Sequence, residues 1–215
     1  MQQFLDDVAL AQPTPGGGAC AALAGALAAA LTQMVAGLTV GRRKYKDAHE
    51  EMQAILDQIP TIRTDLTQAI ADDAVVYQRV LLMLQQRTNN NEKTLTQALE
   101  DALVGAAQVP LRVARLGHDI ADMAGKVITH GNRHALTDAL VALLLAQTAV
   151  RASRLGVISN LKEIQDDKLR KRWVNEATRH EKAVNELVET LLPEAEARLT
   201  AAHGDEKPGR RRRRS

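Results

Sequence analysis

The sequence predicts an all-α protein, an up-and-down bundle of long antiparallel helices. Three observations predict it. Only four of the 215 side chains are aromatic (Phe4, Tyr45, Tyr77 and Trp173), whereas sheet proteins lean on aromatic and β-branched residues. Alanine and leucine are abundant instead, and apolar residues recur at three- and four-residue steps, the period of a helix with one buried face. The breaks between these stretches are short, which makes consecutive helices antiparallel neighbours.

A first helix is expected over about residues 3–11, ending before Pro13. Thr14 as N-cap and Pro15 at the first helical position open a second, about 16–40, which Gly41 closes. No Asp, Glu, Lys, Arg or His occurs over 8–41, a stretch long enough to cross a bilayer. Small residues dominate it, however, and its larger ones, Leu23, Leu27, Leu31, Met34 and Leu38, form a single stripe. Spanning helices carry large apolar side chains all round, so the expectation is a central core helix and no membrane.

The third helix is expected over 45–86, with a bend or break at Pro60. The polar turn 88–91 separates it from a fourth, 92–124, interrupted at Pro110. Gly131 and Asn132 open a fifth, 133–164, apolar nearly all round over 136–149. The sixth covers 166–203, with Pro193 near its end. Residues 1–203 thus read as one helical domain, and 204–215 as a disordered basic tail.

The formal charge of +2 is carried by that tail: residues 210–214 are all arginine, and without them 23 basic residues face 26 acidic ones, a net of −3. A mildly acidic body argues against a nucleic-acid-binding core and leaves the arginine tail as the only basic candidate for such contact. The single cysteine, Cys20, excludes an internal disulfide and reads as a small buried thiol between alanines. Asp6 and Asp7 stand where a secretory signal would be basic, so a cytoplasmic protein is expected.

Functional residues are sought where polarity interrupts the local pattern. Ile62, Leu66, Ile70, Asp73, Tyr77, Val80 and Leu84 follow one another at helical steps, which puts Asp73 on the apolar stripe. Its neighbour Asp72 falls with Asp65, Gln68 and Arg79 on the expected solvent face. Burying Asp73 alone would cost several kcal/mol or force it neutral. Either it meets a buried cation or donor, or it does chemistry.

Asp138, the only charge between His134 and Arg151, lies in the first turns of its helix, where the dipole favours a carboxylate. Asn160, among Val157, Ile158 and Leu161, is a buried amide or a ligand contact. His130 and His134 have metal-compatible spacing, but Gly131 and Asn132 interrupt the helix and no third ligand is evident, so no metal site is expected.

The run Gly16-Gly17-Gly18 after Pro15 sacrifices helix propensity at each position. Such backbone comes close to another helix or to a ligand, and N–H groups at a helix start suit an anion. Arg42, Arg43 and Lys44 follow the far end of the same helix, where cations are favoured in any case and where a polyanionic tail would also bind.

Together these residues resemble the cyclodeaminase/cyclohydrolase family of folate one-carbon metabolism, over about residues 4–200. The segments that carry the resemblance are Pro13-Thr-Pro-Gly-Gly-Gly18 with its small-residue helix, Gly41-Arg-Arg-Lys-Tyr45, Asp72-Asp-Ala74, Gly131-Asn132 followed by Asp138, and Asn160-Leu161. The resemblance implies an all-helical homodimer with a folate cleft lined by Pro15, Gly16, Gly17 and Gly18. It implies a tetrahydrofolate derivative as substrate, with no bound cofactor. Asp73 matches the acidic residue regarded as catalytic, and Arg42, Lys44, Asp138 and Asn160 fall to substrate binding. Ala19 departs from the family, which often has serine there.

The implied activity is hydrolysis of 5,10-methenyltetrahydrofolate to 10-formyltetrahydrofolate with Asp73 as acid/base, preferred because no formimidoyltransferase domain accompanies the sequence. Cyclodeamination of formimidoyltetrahydrofolate is the alternative. A rival of another class is a non-enzymatic helical scaffold whose arginine tail binds RNA or an anionic surface.

Overall fold

The computed structural model describes residues 1–89 and 97–201. Six α-helices account for most of them: α1 (Gln2–Ala9), α2 (Gly17–Thr39), α3 (His49–Asn89), α4 (Gln97–His130), α5 (Leu136–Leu161) and α6 (Asp167–Ala201). Short 3-10 turns, Arg43–Ala48 and Arg133–Ala135, lead into α3 and α5. No strand occurs among the described residues. The fold class is as the sequence predicts, while residues 202–215, with the arginine tail, lie outside the described residues.

Up-and-down order is visible in the pairings. Near the start of α2 Ala19 meets Asp73 of α3, and further along Gln33 meets Arg63. Likewise α4 meets α3 through Arg112–Asp72 and His130–Glu51, and α5 meets α6 through Arg154–Glu181 and Gln147–Asn185. In each pair one chain number rises as the other falls.

Helix α2 packs against α3, α4 and α5, and α5 against α2, α4 and α6. The small side chains make this possible. Ala19, Ala22, Ala28, Ala29 and Ala36 are fully buried on α2, and a Cβ at Gly25 would lie 3.1 Å from Leu66 and 3.5 Å from Ala149. Both α2 and residues 133–161 are long and apolar enough to cross a membrane by length and composition, and half of each apolar stretch is buried against its neighbours.

Several boundaries differ from expectation. Helix α2 starts at Gly17, not at Pro15: Gly16 is extended and takes the cap position, and Thr14 makes no cap bond. Gly41 does close the helix, at φ +79°, where only glycine is unstrained. Helix α4 continues past 124 to His130, because Met123, Ala124, Val127 and Ile128 extend its buried face. The expected start of α4 at 92 lies outside the described residues.

Pro60 and Pro110 do not interrupt their helices. At Pro110 the reason is visible. Proline lacks the N–H that would bond the carbonyl of Ala106, and Asn160 Nδ2 of α5 donates to that carbonyl instead, at 3.0 Å. The ring itself is buried, and at Gly156 even a Cβ would stand 3.1 Å from Pro110. A neighbouring helix thus replaces what the proline removes.

Candidate active site

Asp73 meets the N-terminus of α2. Its Oδ2 accepts a hydrogen bond from the Ala19 backbone N–H at 3.1 Å, across 54 residues of chain. Ala19 is the third residue of α2, so a carboxylate from α3 caps the helix in place of Thr14. Among the described residues no cation pairs with it. Burial pushes the Asp73 carboxyl above its ordinary value, and the Ala19 bond only partly opposes this.

The three glycines have separate reasons. A Cβ at Gly18 would lie 2.7 Å from Asp73 Cγ and closer still to Oδ1. Any side chain there evicts the carboxylate. At Gly16 a Cβ would stand 3.0 Å from the Pro13 carbonyl oxygen, within the turn itself. At exposed Gly17 it would meet nothing within 4 Å among the described residues, so packing against them does not demand glycine. Pro15 is half-buried beside them. Cys20 is half-buried too, rather than buried as expected, because it sits on the next position round the helix from Ala19.

Asp72 corrects the expectation of a purely solvent-facing carboxylate. It accepts from Gln68 at 3.0 Å and from Arg112 of α4. Burial raises its carboxyl, but these hydrogen bonds and the Arg112 charge outweigh that and hold it below the ordinary value. Two adjacent carboxylates are therefore pushed in opposite directions, the pattern that separates a structural ion pair from an acid/base group.

The other candidates lie elsewhere. Arg42 and Lys44 are exposed at the far end of α2, a helix of 23 residues and so about 35 Å long. Lys44 stands 5.6 Å from the Tyr45 ring and lines a cleft of about 800 Å³ with Glu51, Lys126 and His130. Asp138 is half-buried in the first turn of α5, at this same end. Within one chain none of the three joins Asp73. Asn160 is on the Asp73 side of the bundle, but its amide is committed to the Ala106 carbonyl. Among the described residues no cluster of His, Cys, Asp or Glu fits a metal.

What sequence reasoning missed is the role of Asn132. It is 5% exposed. Its Nδ2 donates to Leu38 O at 3.1 Å, its N–H to Thr39 Oγ1 at 2.9 Å, and its Oδ1 accepts from Tyr45 Oη–H and the His134 N–H. Gly131 before it is equally constrained, since a Cβ would collide with the Val127 carbonyl. Tyr45 of the segment 41–45 and the buried Asn132 of 131–132 thus lock together with the end of α2, a pairing that neither segment shows by itself.

A family model described as formiminotransferase-cyclodeaminase matches residues 1–179. The chain belongs to the formiminotransferase-cyclodeaminase family. Within this family it is 36% identical over 168 residues to a methenyltetrahydrofolate cyclohydrolase of Methylorubrum extorquens, covering 77% of this chain and 81% of that one. It is 29% identical over 206 residues to the formimidoyltransferase-cyclodeaminase of Rattus norvegicus, covering 95% of this chain but 36% of that longer protein. The solved formiminotetrahydrofolate cyclodeaminase of Thermotoga maritima superposes with a TM-score of 0.85 at 30% identity, over 93% of this chain and 96% of that one.

Proposed function

We propose that this protein is a cytoplasmic enzyme hydrolysing 5,10-methenyltetrahydrofolate to 10-formyltetrahydrofolate, with Asp73 as the acid/base. The observation that carries the proposal is a half-buried carboxylate, with no cation partner among the described residues, held at a glycine helix start that leaves room for a ligand at Gly17. The identity to a methenyltetrahydrofolate cyclohydrolase over most of its length supports the choice of reaction.

The substrate is a cation whose charge is spread over N5, the bridging carbon and N10. Water attacks that carbon, and Asp73 takes one of its protons as the C–O bond forms. Asp73 then gives this proton to N5 as the C–N5 bond breaks. The second water proton leaves the hydroxyl to solvent as the formyl group forms on N10. The carboxylate also balances the substrate cation, which in turn draws its pKa down from the value burial imposes.

Cyclodeamination is the second reading, favoured by the cyclodeaminase of Thermotoga maritima, which the chain matches over nearly its whole length. There N10 attacks a formimidoyl carbon on N5 and ammonia leaves, and the same carboxylate would relay the protons. Purified protein offered methenyl- and 5-formimidoyl-tetrahydrofolate side by side decides. Hydrolysis of the first without ammonia from the second is expected, and ammonia release with no hydrolysis would overturn the preference.

The proposal includes a homodimer. Leu27, Met34 and Leu38 of α2 and Val141 and Leu144 of α5 are 38–42% exposed on the two most apolar helices. A second copy would cover this face, which a monomer leaves in water.

A further inference from the structure

A cleft of about 600 Å³ opens between α3, α4 and α6, lined on α3 by Asp72, the chain neighbour of Asp73. Its charged lining is Asp72, Arg79, Arg112 and Arg115, and its aromatic wall is Trp173, the single tryptophan of the chain. Three guanidiniums face one lining carboxylate. Arg112 pairs with Asp72, and Arg115 with Glu176 at 2.6 Å, but Arg79 has no ion-pair or hydrogen-bond partner among the described residues. The Nε–H of Arg112 is buried with no acceptor among the described residues.

This lining selects a chemistry. Guanidinium forks match carboxylates and bind them through paired hydrogen bonds. A tryptophan face offers a flat apolar surface to an aromatic ring and a favourable contact to a guanidinium. The cleft therefore suits an extended ligand with an aromatic ring at one end and carboxylates at the other. Asp72, the chain neighbour of Asp73, lines the cleft, and Arg79 lies two turns further along the same face of α3, about 10 Å along the helix axis, so such a ligand spans from beside the reacting carboxylate to this guanidinium. Arg42 and Lys44, about a helix length away, do not meet this requirement.

We propose that this cleft holds the benzoyl-glutamate tail of the substrate, with Trp173 against the ring and Arg79 and Arg112 on the tail carboxylates. The assignment rests on the folate reading above. Gly105 lines the cleft, and a Cβ there would meet nothing within 4 Å among the described residues, so a larger side chain enters the cleft rather than the core.

The test uses p-aminobenzoyl-triglutamate, a tail fragment with no reactive carbon, and the fluorescence of Trp173. Saturable change is expected in the wild type, with affinity weakened about tenfold or more in Arg79→Ala and in Gly105→Leu. In the same variants the KM for triglutamyl methenyltetrahydrofolate should rise in parallel, with the loss falling on KM rather than kcat. Gly105→Leu replaces a helix-interior glycine by a better helix former, so its folding is not at risk. Unchanged fluorescence, or equal affinity in wild type and both variants, overturns the assignment. Turnover by a wild type that does not bind the fragment sinks the cleft alone and leaves the activity standing. Fragment binding that both variants weaken, without turnover of either folate, sinks the activity and leaves the cleft.

Discussion

Gly18→Ala separates catalysis from stability. The new Cβ would sit 2.7 Å from Asp73 Cγ, where carbon atoms normally keep about 3.5–4.0 Å. The carboxylate must therefore retreat by about 1 Å, losing the Ala19 hydrogen bond. A hydrogen bond to a charged group contributes about 1.5–3 kcal/mol, with the low end appropriate to a half-buried site. Two gains oppose that loss: alanine is favoured over glycine in a helix by up to about 1 kcal/mol, and the displaced carboxylate regains water. Net destabilisation should stay below about 2 kcal/mol.

Catalysis has no such compensation. Misplacing a reacting group by about 1 Å costs on the order of 100-fold, and a general base contributes about 10²–10⁴-fold. Gly18→Ala should therefore lose at least about 100-fold in kcat, followed as the decay of methenyltetrahydrofolate absorbance, while thermal unfolding shows a folded protein. Gly17→Ala is the control. Its Cβ meets nothing within 4 Å, so kcat should hold and any loss should appear in KM. Wild-type turnover in Gly18→Ala would show that catalysis does not depend on where the Asp73 carboxylate sits.

Four further predictions concern the frame, the proton and the dimer. Asn160→Ala should cost about 1–3 kcal/mol in denaturant unfolding by leaving the Ala106 carbonyl unpaired. In a Pro110→Ala background, which restores the helical N–H, the cost should nearly vanish, and equal costs in both backgrounds would reject the link. The acid limb of kcat/KM should lie above the ordinary carboxylate pKa of 3.8, because burial raises Asp73; a limb at or below that value would speak against Asp73 as base. For the same reason Asp73 favours folding while protonated, and that contribution is lost as pH rises through its folded pKa. The stability of Asp73→Asn relative to wild type should accordingly increase from about pH 4 toward neutrality. Met34→Lys should shift sedimentation from dimer to monomer, and an unaltered dimer would move the interface away from the α2–α5 face.

Much of this was legible in the sequence because it is local. The charge-free run and its small residues mark α2 as a core helix, and a polar residue on an apolar period marks Asp73. Pairings across long stretches of chain leave no such trace. Asp72 reads as solvent-facing from its own helix, yet its partner Arg112 is 40 residues away. Pro110 reads as a break because nothing near it supplies a donor, and the donor, Asn160, comes from another helix. Asn160 itself reads equally as ligand contact or buried amide until that bond is seen. The glycine run reads as one feature, but only Gly18 is required by the carboxylate, and the reason lies 55 positions on, at Asp73.

On the proposed mechanism Asp73 moves the proton. The most direct measurement is the single-turnover rate of methenyltetrahydrofolate hydrolysis by Asp73→Asn, whose amide oxygen still accepts from the Ala19 N–H and keeps the helix start in place. A folded protein is expected that binds the substrate and hydrolyses it at least about 100-fold more slowly than wild type. Hydrolysis at the wild-type rate would remove Asp73 from the proton transfer.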